Sequence, residues 1–204
     1  MWTTAHQKWG DLNRTLCETD VGGKRIGVFQ PGVGAPLTAG LMEEIIARGC
    51  RKFIACGDAG VLVRNIDVGK ILIPTAAVRD EGTSFHYLPP GREVQADEEV
   101  VAIMEAVLQE QGIQYLKVKT WTTDAPYRET PEKRKLRKAE GCLTVEMETA
   151  VFLSVAQFRD MRFGQLLYGG DDVRGSNWDA RQWQRKKGVR EKLFRLAVDI
   201  CINL

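Results

Sequence analysis

Residues Thr144–Ala150 read TVEMETA and lead straight into the apolar stretch AVFLSVAQF of residues 150–158. Two glutamates, Glu146 and Glu148, flank Met147 where the chain is about to enter its core. In one regular helix they would point about 200° apart and could not share a task. At a strand-to-helix junction both can face one site, with Met147 beside them. Ionised carboxylates only accept hydrogen bonds, so such a pair suits a diol, for example the 2′ and 3′ hydroxyls of a ribose. The adaptable thioether of Met147 could lie against the sugar. A helix N-terminus, where glutamates favour the dipole, is the other reading of the same residues.

Outward from that junction, short apolar strands alternate with amphipathic helices. The first element read is a strand at Arg25–Gln30, running into the Pro/Gly turn PGVGAP. APLTAGLMEEIIARG follows as a helix closed by Gly49. KFIACGDAGVL reads as a short strand ending in a glycine-bearing loop, and GKILIPTAAVRD as a strand buried on both faces. DEEVVAIMEAVLQEQG is an amphipathic helix ending at Gly112, and QYLKVKTWTT alternates like a strand. TPEKRKLRKAEG is a short charged helix with Thr130 as N-cap and Pro131 in its first turn. CLTVEME reads as extended and TAVFLSVAQF as helical. RFGQLLYGGDD is a strand expected to stop at its glycines. In the last helix Val189, Leu193, Leu196, Ala197 and Ile200 share one face. This order predicts a layered α/β fold, a single domain over residues 1–204, with ligands bound beyond the carboxyl ends of its strands.

Composition narrows the function classes. With 204 residues, 44% hydrophobic and 27% charged, the chain is of ordinary globular make-up. A net charge of +2, with both signs intermixed, gives no argument for nucleic acid or an anionic membrane as partner. Five scattered cysteines without a CxxC pair, and two histidines, argue against a metal site. They suit reduced thiols and a cytoplasmic location. No apolar run is long enough to span a bilayer, and MWTTAHQKWGDLNRT has no signal-peptide core.

Three glycine-bearing segments are the remaining places for chemistry. Gly32 and Gly34 of PGVGAP, and Gly57 with Asp58 in CGDAG, could cradle an anion with backbone N–H groups ahead of a helix. In YGGDDV, Asp171 could donate a proton to a leaving group, although Gly and Asp also mark plain turns. Arg79 and His86 flank DEGTSFHY; a lone histidine there reads more readily as a surface or core residue. Neither GxxxxGK[ST] nor a strand-linked GxGxxG is present, which argues against a P-loop or dinucleotide fold.

In order, GVGAPLTAGLMEEII, CGDAGVL, VGKILIPTAAVRDEGTSFHY, TTDAPYRETPEKRKLRKAEGCLTVEMETA and LLYGGDDV resemble the nucleoside phosphorylase superfamily of purine and uridine phosphorylases and related nucleosidases. TVEMETA resembles its Glu-Met-Glu ribose motif. The resemblance implies a three-layer-like, twisted mixed sheet flanked by helices, and cleavage of a nucleoside's N-glycosidic bond. By it, Glu148 binds the ribose hydroxyls, Met147 packs on the sugar and Glu146 sits close by. Asp171 matches the aspartate that protonates the leaving base in purine-acting members. The implied enzyme is a pentosyltransferase of nucleotide salvage that needs no cofactor beyond inorganic phosphate as co-substrate. Its implied partners are a small-molecule nucleoside and further copies of itself, in a dimer-based oligomer.

The departures fall on the phosphate side. The family's N-terminal Gly-Asp-Pro-x-Arg loop has no counterpart, so the chain is expected to lack that element. Ala55 stands where the resemblance expects an arginine, and Asp58 where it expects Ser or Thr. Arg14 matches an arginine lent to a neighbour's phosphate, a couple of residues out of register. Pro126 falls where an aromatic should stack on the base, leaving Tyr127 or Trp121 to substitute. Phosphorolysis is the leading expectation. Hydrolysis by water and an inactive nucleoside-binding or interaction protein are the alternatives.

Overall fold

In a computed structural model, the described residues are 3–9, 12–175, 177–185 and 187–204, with the backbone alone for 3–9, 12–15, 184 and 187. The elements follow in the order β1 (Thr3–Trp9), β2 (Leu12–Val21), β3 (Lys24–Phe29), α1 (Ala35–Ala47), β4 (Lys52–Val61), β5 (Ile71–Asp80) and β6 (Glu93–Gln95). Then come α2 (Glu98–Glu110), β7 (Tyr115–Thr123), α3 (Pro131–Ala139), β8 (Cys142–Glu146), α4 (Thr149–Arg159), β9 (Arg162–Asp172) and α5 (Lys187–Asn203).

Local chemistry accounts for the helices. Asp97 caps α2, its carboxylate accepting from the N–H groups of Glu99 and Val100, while Val100, Met104, Val107 and Leu108 bury one face. Thr130 caps α3 by accepting from Lys133 N, ahead of Pro131. Gly34 at φ 98° and Gly49 at φ 101° bracket α1, backbone angles at which a side chain would be strained.

β1, β2 and β3 form an antiparallel three-stranded sheet. The other six strands form a mixed sheet in the order β6-β5-β7-β8-β4-β9, and β5 also pairs with β9. That last pairing, Ile71 with Tyr168 and Leu72 with Leu167, closes the sheet on itself. Closure divides successive residues between two cores. Leu166 and Tyr168 face α2 and α5 with Met104, Leu193 and Ile200, whereas Leu167 packs inside against Leu72, Val61 and Val118. A further core joins α1 and α4 through Ala39, Met42, Val151 and Val155. Among the described residues, no helix is long and apolar enough to cross a membrane.

Two expected loops are strand. CGDAG lies wholly inside β4, which runs to Val61, and YGGDD completes β9, which runs to Asp172. The glycines continue the ladder because a parallel register from Lys52–Arg162 to Ala59–Gly169 holds both strands together. They also admit close packing. A Cβ on Gly169 would lie 2.7 Å from both Asp67 O and Ile66 Cγ2.

Candidate active site

The carboxyl ends of β4, β8 and β9 converge. Gly60 pairs with Val145, Val61 with Thr144, and Val61 with Asp172. This convergence gathers the carboxylates that the sequence scatters.

Glu146 and Glu148 have different surroundings. Glu146 is 8% exposed. Its Oε2 accepts from the backbone N–H groups of Glu148 and Thr149, each at 2.6 Å, and its Oε1 accepts from Thr122 Oγ1 at 2.6 Å. Thr122 Oγ1 in turn accepts from Ala150 N at 2.9 Å. These bonds satisfy the N–H groups that open α4. Burial raises the Glu146 pKa, opposed by the hydrogen bonds it accepts. Both oxygens are engaged and shielded, so Glu146, expected beside the ribose, is instead the internal cap of α4.

Glu148 is half-buried and has a different partner. Its Oε1 accepts from Gly34 N at 2.6 Å, at the start of α1. Burial pushes its pKa up to about 7, with the Glu146 charge adding to the rise, the Gly34 bond opposing it and Asp58 contributing last. Met147 is half-buried between the two glutamates. Gly32, at φ 91°, and Gly34 form the turn into α1, but the Gly34 N–H assigned to an external anion is already given to Glu148.

Asp58 and Asp171 lie on neighbouring strands. Asp58 Oδ2 is 3.5 Å from where a Cβ on Gly170 would stand, and Asp171 Oδ1 is 3.3 Å from the corresponding position on Gly60. Burial pushes Asp58 up to about 6, followed by the Asp171 charge, with Arg190 opposing. Glu129, just before α3, is pushed up to about 7 by burial and then by Asp171, with Arg134 opposing. Asp58 thus senses Asp171 and is sensed by Glu148, so these carboxyls share one electrostatic neighbourhood. A Cβ on Gly57, within β4 and paired with Leu167 of β9, would meet only Leu167 Cδ2, at 3.8 Å, so this glycine shows no tight approach.

The expected aromatic contacts need correction. Trp121 is fully buried with Leu62, Val78, Cys142 and Val145, and its Nε1–H donates to Asp80 Oδ2 at 3.0 Å. Strand alternation in β7 turns its ring into the core, which leaves no face for a base. Pro126 is exposed and Tyr127 is fully exposed, both in a 3-10 turn. Arg14 lies in β2, but its side chain is outside the described residues. Arg79 is buried and pins the segment after β5 by donating to Ser84 Oγ, Pro89 O and Leu88 O, whereas His86 is exposed.

Sequence reasoning missed Trp178, whose indole N–H donates to Asp171 Oδ2. Two surface clefts, of about 360 and 320 Å³, lie away from this cluster, one along α5 beside Gln111 and one between β6 and α4. Among the described residues, no group of three or more His, Cys, Asp or Glu is suited to a metal ion.

Residues 7–200 match the family described as the phosphorylase superfamily. Uridine phosphorylase of Escherichia coli (strain K12) is 29% identical over 167 residues, covering 74% of this chain and 66% of that protein. Guanosine phosphorylase of Halorubrum lacusprofundi is 24% identical over 188 residues, covering 89% and 78%. The chain thus spans just under two thirds of the length of the uridine phosphorylase it matches. Purine nucleoside phosphorylase from Toxoplasma gondii, solved in complex with immucillin-H, superposes with a TM-score of 0.83 at 21% identity, covering 98% of this chain and 82% of that one. AMP nucleosidase from Bacteroides thetaiotaomicron VPI-5482 superposes with a TM-score of 0.74 at 22% identity, covering 91% and 73%. At those identities the two solved structures establish the fold alone.

Proposed function

The chain belongs to the phosphorylase superfamily, and from that premise we propose that it cleaves the N-glycosidic bond of a ribonucleoside, with phosphate as the acceptor. The observation that carries this reading is the convergence of Glu148 and Asp171, from the ends of β8 and β9, on one neighbourhood shared with Asp58. Glu148 accepts from the ribose hydroxyls and Met147 packs on the sugar. As the C1′–N bond breaks, its electron pair passes to the base, and Asp171 supplies the proton that neutralises it. The carboxylates stabilise the positive charge developing at C1′, and phosphate oxygen then bonds to that carbon.

A specific observation favours water as the acceptor instead. Asp58 stands where the resemblance expects Ser or Thr, and Gly34 N–H is already bound to Glu148. A carboxylate beside a phosphate dianion opposes its binding by about 1 kcal/mol or more where solvent is partly excluded. Incubation of the protein with uridine, inosine and guanosine, with and without phosphate, separates the two. Base release that requires phosphate and yields ribose 1-phosphate supports phosphorolysis. Phosphate-independent release to free ribose transfers the reaction to water, and no release from any nucleoside removes the catalytic reading. The resemblance extends to a dimer-based oligomer, which light scattering in solution tests.

A further inference from the structure

Beyond β9 the chain turns back on itself. Asp172 and Asp179 exchange backbone hydrogen bonds in both directions, at 2.8 and 3.1 Å. Arg174 donates to the Asp172 carboxylate, which holds that carboxyl below its ordinary range. Arg181 donates to Gly170 O at 2.9 Å and to Ile66 O at 3.0 Å, tying the returning strand to the core. This turn brings Trp178 against Asp171, where the indole N–H meets Oδ2. Yet the Trp178 residue remains 63% exposed.

Asp171 is therefore bracketed. Oδ2 is held by the indole, and Oδ1 lies against Gly60, in a space it shares with the Val145 and Val173 methyls. Oδ2 is therefore the oxygen beside the exposed Trp178 ring, and a flat heterocycle taking a proton from it would run alongside that ring. Trp121 is buried in the core, whereas large aromatic faces in solvent, such as that of Trp178, suit stacking on a base.

We propose that Trp178 is the base-binding wall of this site and the positioning residue for Asp171: its N–H fixes the orientation of the carboxyl through Oδ2, and its exposed ring packs on the heterocycle. The proposal rests on the reading of Asp171 as proton donor to a nucleoside base. Trp178→Phe keeps a ring and removes the N–H, and Trp178→Ala removes both. Each is compared with wild type for kcat and KM on inosine and uridine, and for tryptophan emission during nucleoside titration. Trp178→Ala is expected to raise KM by about tenfold or more through the lost stack. Trp178→Phe is expected to hold KM within about threefold while kcat falls by about tenfold, through lost alignment of Asp171. The nucleoside-dependent emission change is expected to vanish in Trp178→Phe.

Wild-type kcat and KM in both variants would overturn the proposal and leave the reaction standing, as would an emission change that persists in Trp178→Phe. Absence of base release from wild type, together with an emission change that Trp178→Phe abolishes, would remove the reaction and retain Trp178 as the binding wall. Wild type that neither releases base nor changes emission would overturn both.

Discussion

The backbone N–H of Gly34 donates to Glu148 Oε1 at 2.6 Å, joining residues 114 apart in sequence. The carboxylate read as a sugar ligand is thus also the anion at the N-terminus of α1, where the helix dipole favours negative charge. A sugar diol and the start of a helix share one acceptor group.

Glu148→Gln separates those tasks. The amide oxygen still accepts from Gly34, so the melting temperature should stay near wild type. Loss of charge-assisted bonds to a diol, worth about 1.5–3 kcal/mol, should weaken nucleoside binding by about ten- to hundredfold. The ratio of ribonucleoside to 2′-deoxynucleoside cleavage rates is the measurement. An unchanged ratio would count against the diol contact.

Asp171→Asn removes the proposed proton donor while keeping an oxygen for the Trp178 N–H. Base release from a purine nucleoside should slow by about two to four orders of magnitude. Near-normal turnover would rule out the aspartate as general acid.

Asp58→Ser addresses the acceptor. Removing a like charge worth about 1 kcal/mol should lower KM for phosphate by about fivefold if phosphate is the co-substrate. Indifference to phosphate before and after the substitution would point to water.

Stability should fall as pH rises through the acid-to-neutral range. Asp58, Glu129 and Glu148 have folded pKa values of about 6, 7 and 7, above the ordinary carboxylate values. Between the ordinary and raised values the folded chain binds more protons than the unfolded chain, so stability declines with increasing pH and levels off above about 7. Thermal melts across that window should show this decline, and Glu129→Gln should flatten it. A melting temperature that instead rises from pH 5 to 7 would contradict the shared carboxylate neighbourhood.

Gly169→Ala should destabilise by about 1–3 kcal/mol, because its Cβ would press on the Asp67 carbonyl and the Ile66 side chain. Gly57→Ala meets only an ordinary contact, at 3.8 Å, and should be near neutral for stability. Urea unfolding of both variants checks the contrast.

Periodicity and caps made most elements legible before the structure. α2 could be read from Asp97, its apolar face and Gly112, and α3 from Thr130–Pro131, because those signals act within one or two turns. β1 and β2 had no such signal: the sequences TTAHQKW and LNRTLCETDV are largely polar, with no apolar alternation. The closure of β5 on β9 was likewise hidden, since pairing between Ile71 and Tyr168 depends on strand curvature rather than on either segment alone.

By itself, the sequence determined the α/β order, the Glu-Met-Glu junction and the resemblance to one superfamily, because residue pattern and spacing carry these directly. Tertiary structure decided which glutamate caps α4 and which meets α1, and that Trp121 is core while Trp178 touches Asp171. A carboxylate's task depends on which donors reach it, and those donors, Thr122 for Glu146 and Gly34 for Glu148, come from distant chain that only the fold brings near.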